Sequence, residues 1–314
     1  MRENDFLRFI YDGVPSHPDV PIPVGDDMGA VRLICGPAGE ALALLKTDQC
    51  LDGVHFDLAL HSAAQVGRKA VNRCLSDCAA MACLPAGVML SVALPREGRG
   101  SGEAFAQDLF VACRDAAARF DCPVVGGDTS LWEGRLVIVV SALGKLPPGG
   151  RAIRRSGAKV GDTLFVSGAL GGSILGRHLD FTPRMELAQR LVRAAGEGLH
   201  AMMDLSDGLA ADVPRLCAAS HVGAEIHTAR LPLHEDAWRL AEKDGMPAGL
   251  HGLVDGEDYE LLFAMDPEAV PAIVNLTQVP VTAIGTVVEA AKGLSLVDAG
   301  GGRHRWPRGG WEHQ

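Results

Sequence analysis

Apolar runs of strand length alternate with longer stretches of helical period along the whole chain, the pattern of an α/β or α+β layered architecture. In the first half, residues 41–45 read as a buried strand running into Thr47-Asp48, and a helix follows over about 62–81. Residues 87–94 read as a strand, 103–120 as a second helix, 123–125 as a short strand entering Gly126-Gly127-Asp128, and 136–143 as another strand. Prolines and glycines at Pro147-Pro148-Gly149-Gly150 interrupt both periods and mark the expected domain junction. The second half opens with a strand at 162–166, then helices near 184–195 and 209–219 and strands near 223–226, 259–264, 281–287 and 294–297.

The 314 residues exceed one ordinary hydrophobic core, and 47% hydrophobic against 22% charged residues supplies material for two. Lys and Arg number 29 against 39 Asp and Glu, a formal net charge of −10 with no dense basic run, so nucleic acid is not an expected partner. Eight cysteines without a CxxC pair read as reduced, mostly buried thiols. The first residues lack a signal peptide's apolar core and no run of about 18 apolar residues occurs, so a cytoplasmic protein without a membrane span is expected.

Candidate chemistry is concentrated in five acidic stretches: Gly25-Asp26-Asp27, Thr47-Asp48, Leu75-Ser76-Asp77, Gly126-Gly127-Asp128-Thr129 and Asp204-Leu205-Ser206-Asp207. Gathering these carboxylates at neutral pH costs repulsion that a divalent cation removes, and oxygen-only ligands suit Mg²⁺ completed by substrate phosphates. On the expected helix, Val66, Ala70, Cys74, Asp77 and Met81 share one face, which puts Asp77 on the buried stripe. A metal ion or a hydrogen-bonded loop would each satisfy it there. Asp48 and Asp128 are expected in loops beyond strand ends, as ligand groups or as turn and cap residues. Ser206 or Asp207 could cap the helix after them, although two carboxylates and a hydroxyl in four residues exceed what a cap needs. No Walker loop and no GxGxxG is present. His55, seven residues after Asp48, fits a ligand contact and a surface position equally.

In order and spacing, these segments resemble the thiamine-monophosphate kinase family, in the superfamily that includes aminoimidazole ribonucleotide synthetase and selenophosphate synthetase. The resemblance runs nearly end to end. Its carriers are Val24-Gly25-Asp26-Asp27, Thr47-Asp48 with Gly53-Val54-His55-Phe56, Leu75-Ser76-Asp77 with Ala79-Ala80-Met81, and Gly126-Gly127-Asp128-Thr129. Further on come Gly150-Arg151-Ala152, Arg155-Ser156-Gly157-Ala158-Lys159, Asp204-Leu205-Ser206-Asp207-Gly208-Leu209, Gly256-Glu257-Asp258-Tyr259-Glu260-Leu261 and Gly310-Trp311-Glu312-His313. The resemblance implies a two-domain aminoimidazole ribonucleotide synthetase-like fold and a homodimer. Residues 1–148 would bind ATP and Mg²⁺ and pair with a second copy, and 149–314 would close the active site. It implies several Mg²⁺ ions held by Asp27, Thr47, Asp48, Asp77, Asp128, Asp204 and Asp207, with Asp128 and Asp207 also catalytic. Gly127, Arg151 and Ser206 would contact ATP, and His55, Glu257 and Trp311 would contact thiamine monophosphate.

The implied reaction suits the residues. A phosphate monoester is largely ionised near neutral pH and needs no strong base, so transfer rests on positioning and on charge stabilisation. Three departures from the family pattern stand out: Lys46 where Ser is usual, Arg73-Cys74 for Val-Asn, and Asp255 for the first Gly of Gly-Gly-Glu. Two rival readings remain: a superfamily enzyme with another acceptor, and a non-catalytic ATP- and Mg²⁺-binding sensor, which Lys46 keeps open.

Overall fold

The computed structural model describes residues 3–35, 39–274, 276, 278–307 and 309. Its first half comprises α1 (Glu3–Gly13), β1 (Gly29–Ile34), β2 (Glu40–Leu51), α2 (Ala63–Ala80), β3 (Leu84–Pro95), α3 (Glu103–Ala118), β4 (Val124–Trp132) and β5 (Val137–Lys145). The second half comprises β6 (Thr163–Ser167), α4 (Met185–Ala195), β7 (Leu199–Asp204), α5 (Leu209–Ser220), β8 (Val222–His227), α6 (Glu235–Asp244) and α7 (Ala248–Val254). It ends with β9 (Leu261–Met265), β10 (Val281–Glu289), β11 (Leu294–Val297) and β12 (Arg303–Arg305). No helix among the described residues is long and apolar enough to cross a membrane.

The first sheet has the order β1-β2-β5-β3-β4, and its one parallel pairing is β3 with β4. One face is covered: Leu44, Val88, Leu90, Ile138 and Val140 bury against Val66, Ala70 and Cys74 of α2 and Leu109 and Cys113 of α3. The opposite face is open, leaving Leu45, Met89 and Leu143 between 42% and 51% exposed. The second sheet has the order β12-β11-β8-β10-β6-β9-β7 and buries its own cluster against Leu209, Val213 and Leu216 of α5. The larger core is not confined to either half, for it includes Phe165, Leu199, Met202 and Phe263 together with the α2 stripe.

Helix α2 joins the halves. Ser62 and Gln65 form a reciprocal capping box at its start, worth about 1 kcal/mol. Gly67 lets α3 approach, because a Cβ there would lie 2.9 Å from Leu109 O and from Ala112 Cβ. The last turn of α2 runs under β7, where Ser76 Oγ donates to Asp204 Oδ2 at 2.6 Å.

Two local expectations are corrected. Thr47-Asp48 and Gly126-Gly127-Asp128 lie inside β2 and β4, not in loops beyond strand ends. The apolar run stops before them, but the ladder of backbone hydrogen bonds continues: the open face accepts Thr47 and Asp128, while Asp48 turns to the covered face and meets Lys46.

Candidate active site

Three carboxylates from separate elements meet beside the last turn of α2. Asp27 comes from the loop before β1, Asp77 from α2 and Asp204 from the end of β7, and one oxygen of each lies within 4.8 Å of the others. All three are buried. Arg155 donates to Asp27 Oδ1 through Nε at 3.0 Å and Nη2 at 2.5 Å, and Lys46 Nζ donates to Asp77 Oδ1 at 2.9 Å while lying 3.5 Å from Asp48. Asp27 Oδ2 is buried with no hydrogen-bond partner among the described residues.

Electrostatics make this a site that lacks positive charge. Burial pushes the Asp77 carboxyl well above the usual range, Lys46 pulls it back, and Asp48, Asp204 and Asp27 raise it further. Burial, with Asp27 beside it, lifts Asp204 to about 6. Asp48 moves the other way: burial would raise it, but Lys46 and Arg73 hold it below its ordinary value. An orphaned buried oxygen within an all-oxygen donor set fits a hard divalent ion such as Mg²⁺.

Next to the triad is a cavity of about 290 Å³ whose lining includes His55, Arg73, Ser206, Asp207, Glu257 and Tyr259. Two loops stitched together form its wall: Glu257 N–H donates to Ser206 O at 2.6 Å, and Tyr259 N–H to Leu205 O at 2.8 Å. Gly256 permits this approach, since a Cβ there would stand 2.8 Å from Ser206 O. Glu257 and Tyr259 adopt φ of +63° and +50°, a strained backbone for side-chain-bearing residues.

Lys69 holds that strained turn from within the core. It has no exposure, its Nζ donates to His55 O at 2.5 Å, and it lies 2.7 Å from Glu257 Oε1 and 2.6 Å from His178 Nδ1. Burial would raise the Glu257 carboxyl, but His178 and Lys69 outweigh it and bring it to about 2. Glu257 therefore presents a fixed negative charge to the cavity. Asp207 is bound by Arg215, which also donates to Asp212 at 2.7 Å. The N-cap of α5 is Gly208, with no side-chain cap bond, so Ser206 and Asp207 do not cap that helix.

A second, larger groove of about 620 Å³ runs between α3 and the β3–β4 edge, lined by Leu90, Phe110, Val124, Gly126, Gly127 and Asp128 among others. Asp128 is paired through Ser91 and Val139 to Gln49, so it stands three strands, roughly 14 Å, from β2. That register also places it on the open face, opposite to Asp48.

The N-terminal and C-terminal domain models for AIR synthase related proteins match residues 25–146 and 133–297. Thiamine-monophosphate kinase of Rhodopirellula baltica is 38% identical over 291 residues, covering 91% of this chain and 89% of that protein. The chain belongs to the thiamine-monophosphate kinase family. The Escherichia coli member is 33% identical, covering 90% of this chain and 89% of its own length. A solved structure of AaThiL complexed with AMPPCP and TMP superposes with a TM-score of 0.83 at 29% identity, covering all of this chain and 97% of that one.

Of the residues that the kinase family implies, Asp27, Asp48, Asp77 and Asp204 sit around the triad, and His55, Ser206, Asp207 and Glu257 line the adjoining cavity. The structure does not bring Thr47, Gly127, Asp128 or Arg151 to them within one chain. Thr47 faces the open side of the sheet, where its hydroxyl is 2.9 Å from Ser141 Oγ. Arg151 donates to Leu199 O at 2.6 Å and Gly196 O at 2.9 Å, at the opposite end of β7 from Asp204. Trp311 lies outside the described residues. Lys69 and Arg215 were not singled out from sequence, and Arg155 entered there only as part of a motif, with no role assigned. One signal was available: Lys69, Arg73 and Asp77 recur every four residues along one side of α2.

Proposed function

We propose that this chain transfers the γ-phosphoryl group of ATP directly to the phosphate of thiamine monophosphate, giving thiamine diphosphate and ADP. A phosphate oxygen of the acceptor forms the new P–O bond as the β–γ bridge of ATP breaks. The observation that carries this reading is the proximity of two features: the buried acidic triad and, one turn along α2 at Arg73 and two residues after Asp204 at Ser206, a cavity walled by Glu257. A fixed carboxylate there suits the cationic ring of thiamine, and Tyr259, stacked on Phe181 at 4.0 Å, offers a rigid aromatic wall.

Asp27, Asp77 and Asp204 would hold Mg²⁺, with Asp48 and Asp207 at its margin. When bound, the ion would neutralise phosphate charge and orient the transfer. The protein's own part is to hold the acceptor in line and to keep both phosphates in a partly dry site. The nucleotide base would lie in the groove lined by Leu90, Phe110 and Val124, with the exposed backbone of Gly126 and Gly127 at its edge.

The active form in this reading is a homodimer. The open sheet face carries exposed Leu45, Met89 and Leu143 together with Asp128 and Thr47. Pairing of this face with a second copy would cover that apolar surface and bring the partner's β4 edge toward a triad it does not reach in its own chain.

The test is to incubate the purified protein with ATP, Mg²⁺ and thiamine monophosphate. Thiamine diphosphate and ADP should form in equal amounts. ATP binding without transfer would leave the sensor reading, which the ion pair of Lys46 with Asp77 favours.

A further inference from the structure

Arg73 lies on α2 four residues from Lys69 and four from Asp77, about 6 Å along the helix from each. It thus stands midway between the group that anchors Glu257 and the acidic triad. It lines the 290 Å³ cavity, and its Nε and Nη1 atoms are buried without a hydrogen-bond partner among the described residues. The charged and titratable groups facing it are Asp48 on one side, Glu257 and Tyr259 on the other, and Cys50. Burying two unmet guanidinium donors costs free energy unless a ligand satisfies them.

We propose that Arg73 binds the phosphate group of the acceptor, an assignment that rests on the reaction proposed above. The acceptor's ring is drawn toward Glu257 and its phosphate must point toward the triad, so the phosphate passes the guanidinium. Asp48 and Glu257 would repel a phosphate dianion in this stretch, and the planar Arg fork offsets them while fixing the phosphate by paired charge-assisted bonds. The chemistry recognised is a terminal, ionised phosphoryl group, supplied by the phosphate monoester of thiamine monophosphate or by the γ-phosphate of the nucleotide. The cavity lining assigns it to the former.

Calorimetric titrations of wild type, Arg73→Met and Arg73→Lys with thiamine monophosphate, thiamine and a non-hydrolysable ATP analogue, all with Mg²⁺, separate these sources. Arg73→Met should weaken thiamine monophosphate binding about 10- to 100-fold, the worth of hydrogen bonds to a charged group, and leave thiamine and the analogue within about 2-fold. Arg73→Lys should recover part of the loss. Equal weakening of thiamine and its phosphate, or a loss confined to the analogue, would overturn the assignment. A wild type that binds thiamine monophosphate but never phosphorylates it would remove the reaction and leave the Arg73 comparison intact.

Discussion

Lys46 Nζ and Asp77 Oδ1 form an ion pair 2.9 Å long inside the acidic cluster, so one positive charge of this site is covalently attached to β2. Burial would lower the Lys46 pKa, yet Asp48 and Asp77 hold it well above its ordinary value, and the ammonium stays charged. Replacing it with Ser leaves a buried carboxylate without its partner. In chelator, Lys46→Ser should lose about 3 kcal/mol of unfolding free energy, regained on adding Mg²⁺. Equilibrium dialysis with Mn²⁺ should find more metal per chain than in wild type; identical metal counts would show that Lys46 does not stand in a cation's place.

Asp77→Asn and Asp204→Asn act on the triad itself. Turnover should fall by about three orders of magnitude, because several kcal/mol of charge stabilisation depend on these oxygens. The fold should persist. Without metal, Asp204→Asn should be the more stable protein in urea, since it removes one of three mutually repelling buried carboxylates. Near-normal activity in either variant at ordinary Mg²⁺ would exclude these residues as ligands.

Asp128 and Asp77 lie on opposite sides of the first sheet. If the site is completed across a dimer, inactive Asp77→Asn and inactive Asp128→Asn subunits should complement each other when mixed under conditions that exchange subunits. Random pairing restores about a quarter of the sites. Activity that stays at the background of the separate variants would confine each site to one chain.

The Glu257 carboxyl, held at about 2 against an ordinary value of 4.5, gives a defined acid response. A depressed carboxyl contributes stability that is complete above the unfolded value and is lost as pH falls through the folded one. Between about pH 4.5 and 2 the wild type should therefore lose on the order of 3 kcal/mol that Glu257→Gln does not lose. Chemical denaturation across that range measures the difference, and parallel curves would show that Lys69 and His178 do not hold the charge.

Much of the fold was readable because periodicity survives wherever one face is buried. The helix expected over 62–81 is α2 with Ser62 as its cap, and the strand expected at 294–297 is β11. Asp77 was found for the same reason, as a charge on an apolar stripe. Helices α6 and α7 went unread, being short and closely punctuated by Gly and Pro. Half of the site was also invisible. Arg155 reaches Asp27 across 128 positions, and Lys69 meets Glu257 through a turn with positive φ, contacts that exist only once the halves pack. The side of the sheet taken by Asp128 became clear only with the register of β4, since its position looked like the end of a short strand.

Direct transfer between two phosphates is the central claim, and a single-turnover experiment with ATP labelled at the γ-phosphorus tests it most directly. With enzyme in excess, Mg²⁺ and thiamine monophosphate, label should leave ATP and enter thiamine diphosphate at one common rate, with none on the protein. Label that accumulates on the protein or in inorganic phosphate, or that stays in bound ATP, would contradict it.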